Sequence, residues 1–549
     1  MPKKTSTTLL LFSAALLSSC GGGGATPSES TTTPTSQTPI VRPVGDKIVI
    51  YSGGSSEFSW VKGSEEDKII SYIEDKYYED TGNSVDFEIS YLGEDMQTKL
   101  SSELAAGSQI DLVISHTRGG NGVDDKLKGE SDHYNLYDAI YDYAPNLYSA
   151  VSGDPLDSMT TSNNDTVCIP SVISPYKFGI LVRKDLMEKA GYTDDKTKVA
   201  EGYTLVDNLD DFEAMCLKMN TLTGNSYAVT GAAWDLEKVV TLGAYCDAGY
   251  FSSAVVTEDG KELVMKGGAT SAYKDVLALE YKWANNGVIS KEANSILLND
   301  GETNFIAGKT GVFVLDPTIQ HLIKVARRTK AQNPEAEFTV LGALTAHKGS
   351  TRKGFMRNPS ATFGAAVTKK STRVNQIMSF LNWVYESADN YNLCRYGIEG
   401  THWINNGDGT YSFPEGKESY ATSPAYSGIL TLVENQRISN LTYKGYTEEE
   451  LHWINDIAGN KDNYIQNDVM DYLFTQTDEY NIKQNAATNK LYQMAVDAWT
   501  GKGDPNALST DGVNSVYDYT ASQYRKDVAE IDQYNTEQYH LMKAQRQNQ

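Results

Sequence analysis

Three short patterns in the 549-residue chain carry the residue types of serine acyl transfer. Ser59-Trp-Val-Lys62, Ser162-Asn-Asn164 and Lys309-Thr-Gly311 follow one another in the order that chemistry uses, with a lysine one helical turn from a serine nucleophile. Ser-x-x-Lys recurs at Ser174–Lys177 and Ser350–Lys353, and Ser162-Asn-Asn164 lies in a polar turn, so the pattern loses its weight. Glycoside hydrolysis would need two carboxylates facing each other across a cleft. The 72 acidic residues offer many such pairs and single out none. Seven histidines are scattered without a His-Glu-x-x-His set, so nothing calls for a metal ion or a cofactor. The chain is expected not to be an enzyme. What stands out instead is 35 tyrosines and 7 tryptophans, an excess suited to a ligand with flat apolar faces and many hydroxyls.

Such a ligand must be met by elements that hold side chains at one edge. Lys47-Ile-Val-Ile-Tyr51 is a short apolar run, the pattern of a buried parallel strand. Ile69, Ile73 and Tyr77 predict a helix over residues 65–80, stopped by Gly82. Alternating Val85, Phe87, Ile89 and Tyr91 predict a strand, Met96, Leu100 and Leu104 a helix, and Ile110–Ile114 a third strand. Strand, helix, strand, helix, strand specifies a mostly parallel α/β layer. Phe178–Val182, a helix from Lys184 to Ala190, Tyr227–Thr230, a helix around residues 271–285, Val312–Leu315 and Phe338–Leu341 predict a second α/β block. Phe363–Val367 and an amphipathic helix through Val374, Ile377, Met378, Leu381 and Tyr385 follow, and the chain beyond about residue 445 reads as mainly helical. In sheets of this kind ligands bind beyond the carboxyl ends of the strands.

The ends of the chain bear on where it works. Lys3 and Lys4 precede the apolar run Leu9–Leu17, about half the ~20 residues a bilayer span needs, which reads as a secretory signal. Leu17-Ser18-Ser19-Cys20 resembles the bacterial lipobox, in which the cysteine becomes the lipidated N-terminus; Ser19 stands where Gly or Ala is commoner. Residues 21–44 are Gly, Ser, Thr and Pro-rich and too polar to fold, a tether. A net charge of −24 argues against nucleic acid as a partner. Cys168, Cys216, Cys246 and Cys394 lack metal-ligand spacing and suit buried thiols, with a Cys216–Cys246 disulfide also open.

Several segments together resemble an extracellular solute-binding protein of a bacterial carbohydrate ABC importer, of the large lipid-anchored oligosaccharide-binding branch. They are Glu103–Val113, Ile169–Met187, Phe305–Val312, and Tyr396-Gly-Ile-Glu-Gly-Thr-His-Trp403 followed by Asn406-Gly-Asp-Gly409 and Pro414. The resemblance implies a two-lobe periplasmic-binding-protein-like α/β fold, with three interlobe crossings and a central ligand cleft. Residues 1–20 would be the signal and 21–44 the tether. Lobe one would hold 45–168 plus 345–395, and lobe two 169–340 plus 400–549. The cargo would be a carbohydrate, captured by cleft closure and delivered to membrane permease subunits by a monomer anchored through Cys20 to the outer face of the membrane. Peptide transport, or a surface adhesin not coupled to transport, are the alternatives. On that fold the candidate ligand residues are Glu57 and Trp60 after the first strand, and His116 and Arg118 after the third. Tyr176 lies just past the first crossover, Trp234 and Asp316 after later strands, Arg357 and Asn358 in a loop, and Glu399 and Trp403 in the third crossover.

Overall fold

The computed structural model describes residues 42–53, 63–92, 96–116, 133–249, 252–258, 260–351, 354–357, 363–421, 434–474 and 477–547. Pro43–Gln549 forms one compact unit. Its first sheet has five strands in the order Val85–Tyr91, Asp46–Ser52, Leu112–His116, Phe363–Val367, Ile169–Pro170. The first three run parallel and the last two are antiparallel to their neighbours. The Glu65–Thr81 helix covers this sheet for reasons written locally. The Ser64 side chain accepts from Asp67 N at 3.1 Å to cap its start, Gly82 at φ 73° closes its end, and Ile69, Ile70, Ile73 and Tyr77 supply the buried stripe. The third strand begins two residues later than the pattern suggests. Asp111, buried, spends its carboxylate on Val49 N at 3.0 Å and on the Ser371 hydroxyl at 2.6 Å.

A second sheet runs Phe338–Leu341, Ile180–Arg183, Val312–Phe313, Val229–Thr230. The first two junctions are antiparallel and the last is parallel. Phe178, placed in a strand by its neighbours' hydropathy, precedes the ladder and bridges Thr318 instead. One core lies around the first sheet (Ile50, Ile73, Ile114, Phe380 and Trp383 among its members) and others around the second. Residues 434–438 return to the first core, where Asn435 bridges Val172 and Ile438 packs. Cys168, Cys216, Cys246 and Cys394 are buried; Cys216 and Cys246 sit in different core clusters, with no disulfide between them. No described helix is long and apolar enough to cross a membrane.

The two long C-terminal helices, Asp478–Trp499 and Val516–Gln547, pack with the Tyr273–Asn286 helix around Trp499, Tyr517 and Tyr524. Inside lie two fully buried carboxyl groups. Glu280 accepts from Trp499 Nε1 at 2.6 Å and from the Thr241 hydroxyl at 2.7 Å, and Glu237 accepts from the Tyr273 hydroxyl. Burial pushes Glu280 up to about 8, against the pull of its two hydrogen bonds. Burial, and then the charge of Glu280, raise Glu237 well above the ordinary range. A carboxyl raised in the folded chain stabilises fully below its unfolded value of about 4.3 and loses that contribution as pH rises toward the folded value. Stability is therefore expected to fall between about pH 4.3 and pH 8, by up to about 1.4 kcal/mol per pH unit for each proton held only by the folded chain. Glu280→Gln removes the charge while its one oxygen still accepts from Trp499 Nε1 and its amide nitrogen donates to the Thr241 hydroxyl. Its melting temperature, measured from pH 5 to 8, should vary less with pH than that of the parent.

Candidate functional site

The carboxyl edges of the two sheets meet at the segment that joins them. On the first sheet, Ser52 and His116 end parallel strands, and Phe363 pairs opposite His116. Ser171 belongs to the same edge: its N–H donates to Phe363 O at 2.8 Å, and its hydroxyl accepts from Phe363 N at 3.1 Å. On the second sheet, Thr230 and Phe313 end parallel strands, and Gly179 N donates to Pro317 O at 3.1 Å just beyond them. Residues 172–178 link one edge to the other. A second pass of chain braces the link: Val172 N donates to Glu434 O at 2.6 Å, and Gln436 N donates to Val172 O at 2.8 Å.

Lys177 is the pivot of this region. Its carbonyl accepts from Ile319 N at 2.8 Å, fixing its backbone to the second sheet. Its ammonium lies 5.9 Å from the centroid of the Phe363 ring, on the first. The side chain is half-buried, and its ammonium makes no hydrogen bond or ion pair among the described residues. Burial lowers its pKa; the charges of Asp316 and Glu434 oppose that, and Lys238 adds to it.

Asp316 leaves the Val312–Phe313 strand at φ 39°, left-handed backbone that a non-glycine residue adopts at a cost. Its N–H donates to Asp235 Oδ2 at 3.3 Å, and its half-exposed carboxylate lies 3.6 Å from His321 Nδ1. Burial lowers the pKa of that histidine against the pull of Asp316 and Glu302. Asp235, raised by its burial, is also 3.4 Å from Lys238 Nζ. Beside it, on the short Ala233–Leu236 helix after the Val229–Thr230 strand, Trp234 is 42% exposed. A large indole left open at a strand end is an available stacking face. Strain at Asp316 gives a test independent of any ligand. Asp316→Ala should melt below Asp316→Gly, with the difference worth roughly 1 kcal/mol in thermal unfolding.

Of the sequence candidates, Trp234 and Asp316 are linked through Asp235, and Tyr176 stands one residue before Lys177 in the linking segment. Tyr176 leans on Tyr464 with centroids 5.0 Å apart, donates to Gln466 Oε1 at 3.2 Å, and carries the Lys461 ammonium 5.6 Å over its ring. Arg357 is buried, ion-paired with Asp471, and donates to Asn467 O at 3.0 Å. Trp403 is buried, donates to Gly397 O at 2.9 Å, and packs 5.3 Å from Tyr396. Glu399 is exposed, and its Oε1 accepts from Asn405 N at 3.4 Å. Glu57, Trp60, Arg118, Asn358 and Cys20 lie outside the described residues. Sequence reasoning passed over Lys177, Asp235 and Lys238. The available signal for Lys177 was a lone cation in the otherwise uncharged run Ser171-Val-Ile-Ser-Pro-Tyr-Lys-Phe-Gly-Ile-Leu-Val182. Also unanticipated is a chain of half-buried rings at Tyr396, Tyr411, Tyr443 and Tyr446, neighbouring centroids 5.1 to 5.6 Å apart, which absorbs part of the tyrosine excess. Among the described residues no group of three His, Cys, Asp or Glu comes together to hold a metal ion.

The family described as bacterial extracellular solute-binding protein matches residues 62–391, more than half of the chain. No curated protein matches. Among solved structures, the chain is similar to the N-glycan transport solute-binding protein NgtS from Streptococcus pneumoniae. Identity is 15%, 90% of this chain and 99% of that one are covered, and the TM-score is 0.62. It is similar to the alginate-binding protein AlgQ2, at 15% identity, coverage of 92% and 97%, and a TM-score of 0.62. A third is an HMO-binding, ABC-transporter-associated solute-binding protein from Bifidobacterium longum infantis, at 14% identity, coverage of 90% and 99%, and a TM-score of 0.61. At these identities the likeness is one of fold, the two-lobe periplasmic-binding-protein-like α/β fold anticipated from the sequence.

Proposed function

We propose, because the chain belongs to the family of bacterial extracellular solute-binding proteins, that it captures a carbohydrate, an oligosaccharide by its size, and hands it unaltered to a membrane permease of an ABC importer. The observation that carries this reading is the open indole of Trp234, on the short helix after the Val229–Thr230 strand and one residue before the Asp235 carboxylate that accepts from Asp316 N. A sugar ring offers a patch of C–H groups to an aromatic face and a rim of hydroxyls to planar or charged partners. Trp234 supplies the first, and Asp316 and Lys177 supply the second. The similar structures point the same way, since they are of an N-glycan transport, an alginate-binding and an HMO-binding protein.

Mechanically, cargo bridges two edges joined by short crossings, so that binding favours the state in which they approach. Closure strips water from the sugar, and the permease can then read the shape of the loaded protein. Cys20 would carry the lipid and residues 21–44 the slack, holding the binding unit near its permease. A thermal-shift screen of the purified protein against oligosaccharides, amino acids and short peptides tests the reading, because a ligand preferring the folded form raises the melting point by mass action. Shifts with glycans and none with peptides are expected; a shift with peptides alone would replace carbohydrate by peptide as the cargo.

A further inference from the structure

Around the junction of the sheet edges, three cations face three carboxylates: Lys177, Lys238 and Arg395 against Asp235, Asp316 and Glu434. Four of the six are matched in pairs. Arg395 Nη2 lies 2.7 Å from Glu434 Oε1, and Lys238 Nζ 3.4 Å from Asp235 Oδ1. Lys177 and Asp316 remain. They are near enough to influence each other, yet they form no ion pair among the described residues. The His321 ring lies 3.6 Å from Asp316, and its burial disposes it toward the neutral form. A half-buried ammonium with no acceptor among the described residues is costly to keep. Its backbone is fixed to one sheet and its side chain lies over Phe363 of the other, so the chain holds it where the edges meet.

Building on the glycan reading, we propose that Lys177 and Asp316 are the specificity pair of the cleft and select an uncharged sugar. One hydroxyl oxygen of the unit stacked on Trp234 accepts from the Lys177 ammonium, and an adjacent hydroxyl donates to the Asp316 carboxylate. A neutral diol completes both groups and leaves the balanced cluster balanced. A uronate in the same place adds a negative charge beside Asp316 and Glu434, with the remaining cations already engaged.

The test is calorimetric titration of the purified protein with cellotetraose, mannotetraose, xylotetraose and N-acetylchitotetraose as neutral probes, and tetragalacturonate as the acidic one. At least one neutral probe should bind more tightly than tetragalacturonate. Lys177→Met should weaken it roughly 10- to 100-fold, the worth of a hydrogen bond to a charged group. Asp316→Asn should narrow the gap between that probe and tetragalacturonate. A second readout separates contact from support. The bound neutral probe should protect Lys177 from acetylation by acetic anhydride while exposed Lys330 reacts as before. Unchanged affinity in Lys177→Met, no protection of Lys177, or tightest binding of tetragalacturonate would overturn the proposal and leave the glycan reading standing. Absence of binding by all of these sugars would remove that reading and this proposal together.

Discussion

Truncation of Trp499 to alanine is expected to cost about 4 kcal/mol of folding stability, a large part of the roughly 5–15 kcal/mol that a folded protein commands. The indole is fully buried among Tyr273, Leu277, Tyr517 and Tyr524, and it clamps the C-terminal helices to the Tyr273–Asn286 helix. Alanine leaves a cavity that rigid helices cannot collapse into, and it also takes away the N–H that Glu280 accepts at 2.6 Å. Trp499→Phe separates the two losses. It restores most of the volume and not the donor, so its cost should be nearer 1–2 kcal/mol. Urea unfolding followed by near-ultraviolet dichroism measures both. A cost below about 1 kcal/mol for Trp499→Ala would mean that the tail is not packed as described.

Loss of binding is the second large effect. Trp234→Ala should weaken the best oligosaccharide by at least ~30-fold, the range of an aromatic anchor at the centre of an interface. Trp234 contributes little to packing, because nearly half its surface is open. The variant should therefore melt within a degree or two of the parent when no ligand is present, at a size where 1 kcal/mol moves the midpoint by only a few degrees. Trp234→Phe should recover part of the affinity, since a smaller flat face remains. Titration calorimetry on the three proteins decides the matter. Equal affinities would move the stacking role elsewhere in the cleft.

Local pattern carried the fold a long way. Ile69, Ile73 and Tyr77 gave away a helix, and Gly82 its end, because a helix must bury a stripe and stop in a left-handed turn. The Phe363–Val367 and Phe338–Leu341 strands stand where their apolar runs place them. Apolar runs did not reveal how short some ladders are. Tyr227–Thr230 and Val312–Leu315 shrink to two-residue strands, although Val314 N still donates to Thr230 O at 2.9 Å. Those residues are buried by packing more than by pairing, and hydropathy does not distinguish the two.

Strand-end position singled out Trp234 and Asp316, and the first crossover singled out Tyr176; of these, Trp234 and Asp316 are linked through Asp235. Position could not separate Trp403, which is enclosed by its own crossover, from Trp234, which is open. That difference is set by Tyr396 and the Gly397 carbonyl, neighbours only once the chain has turned at Gly400. The lone cation at Lys177 stood out in its run, but its role did not, for a related reason. Its meaning comes from Phe363, Asp316 and Glu434, each far away in sequence.

The most direct test of capture by closure is the radius of gyration in solution, measured by small-angle X-ray scattering with and without the neutral oligosaccharide that gives the largest thermal shift. Contraction with that sugar, abolished in Trp234→Ala and reversed when the sugar is dialysed away intact, is the predicted result. An unchanged radius at saturation, or a sugar recovered cleaved, would contradict the account.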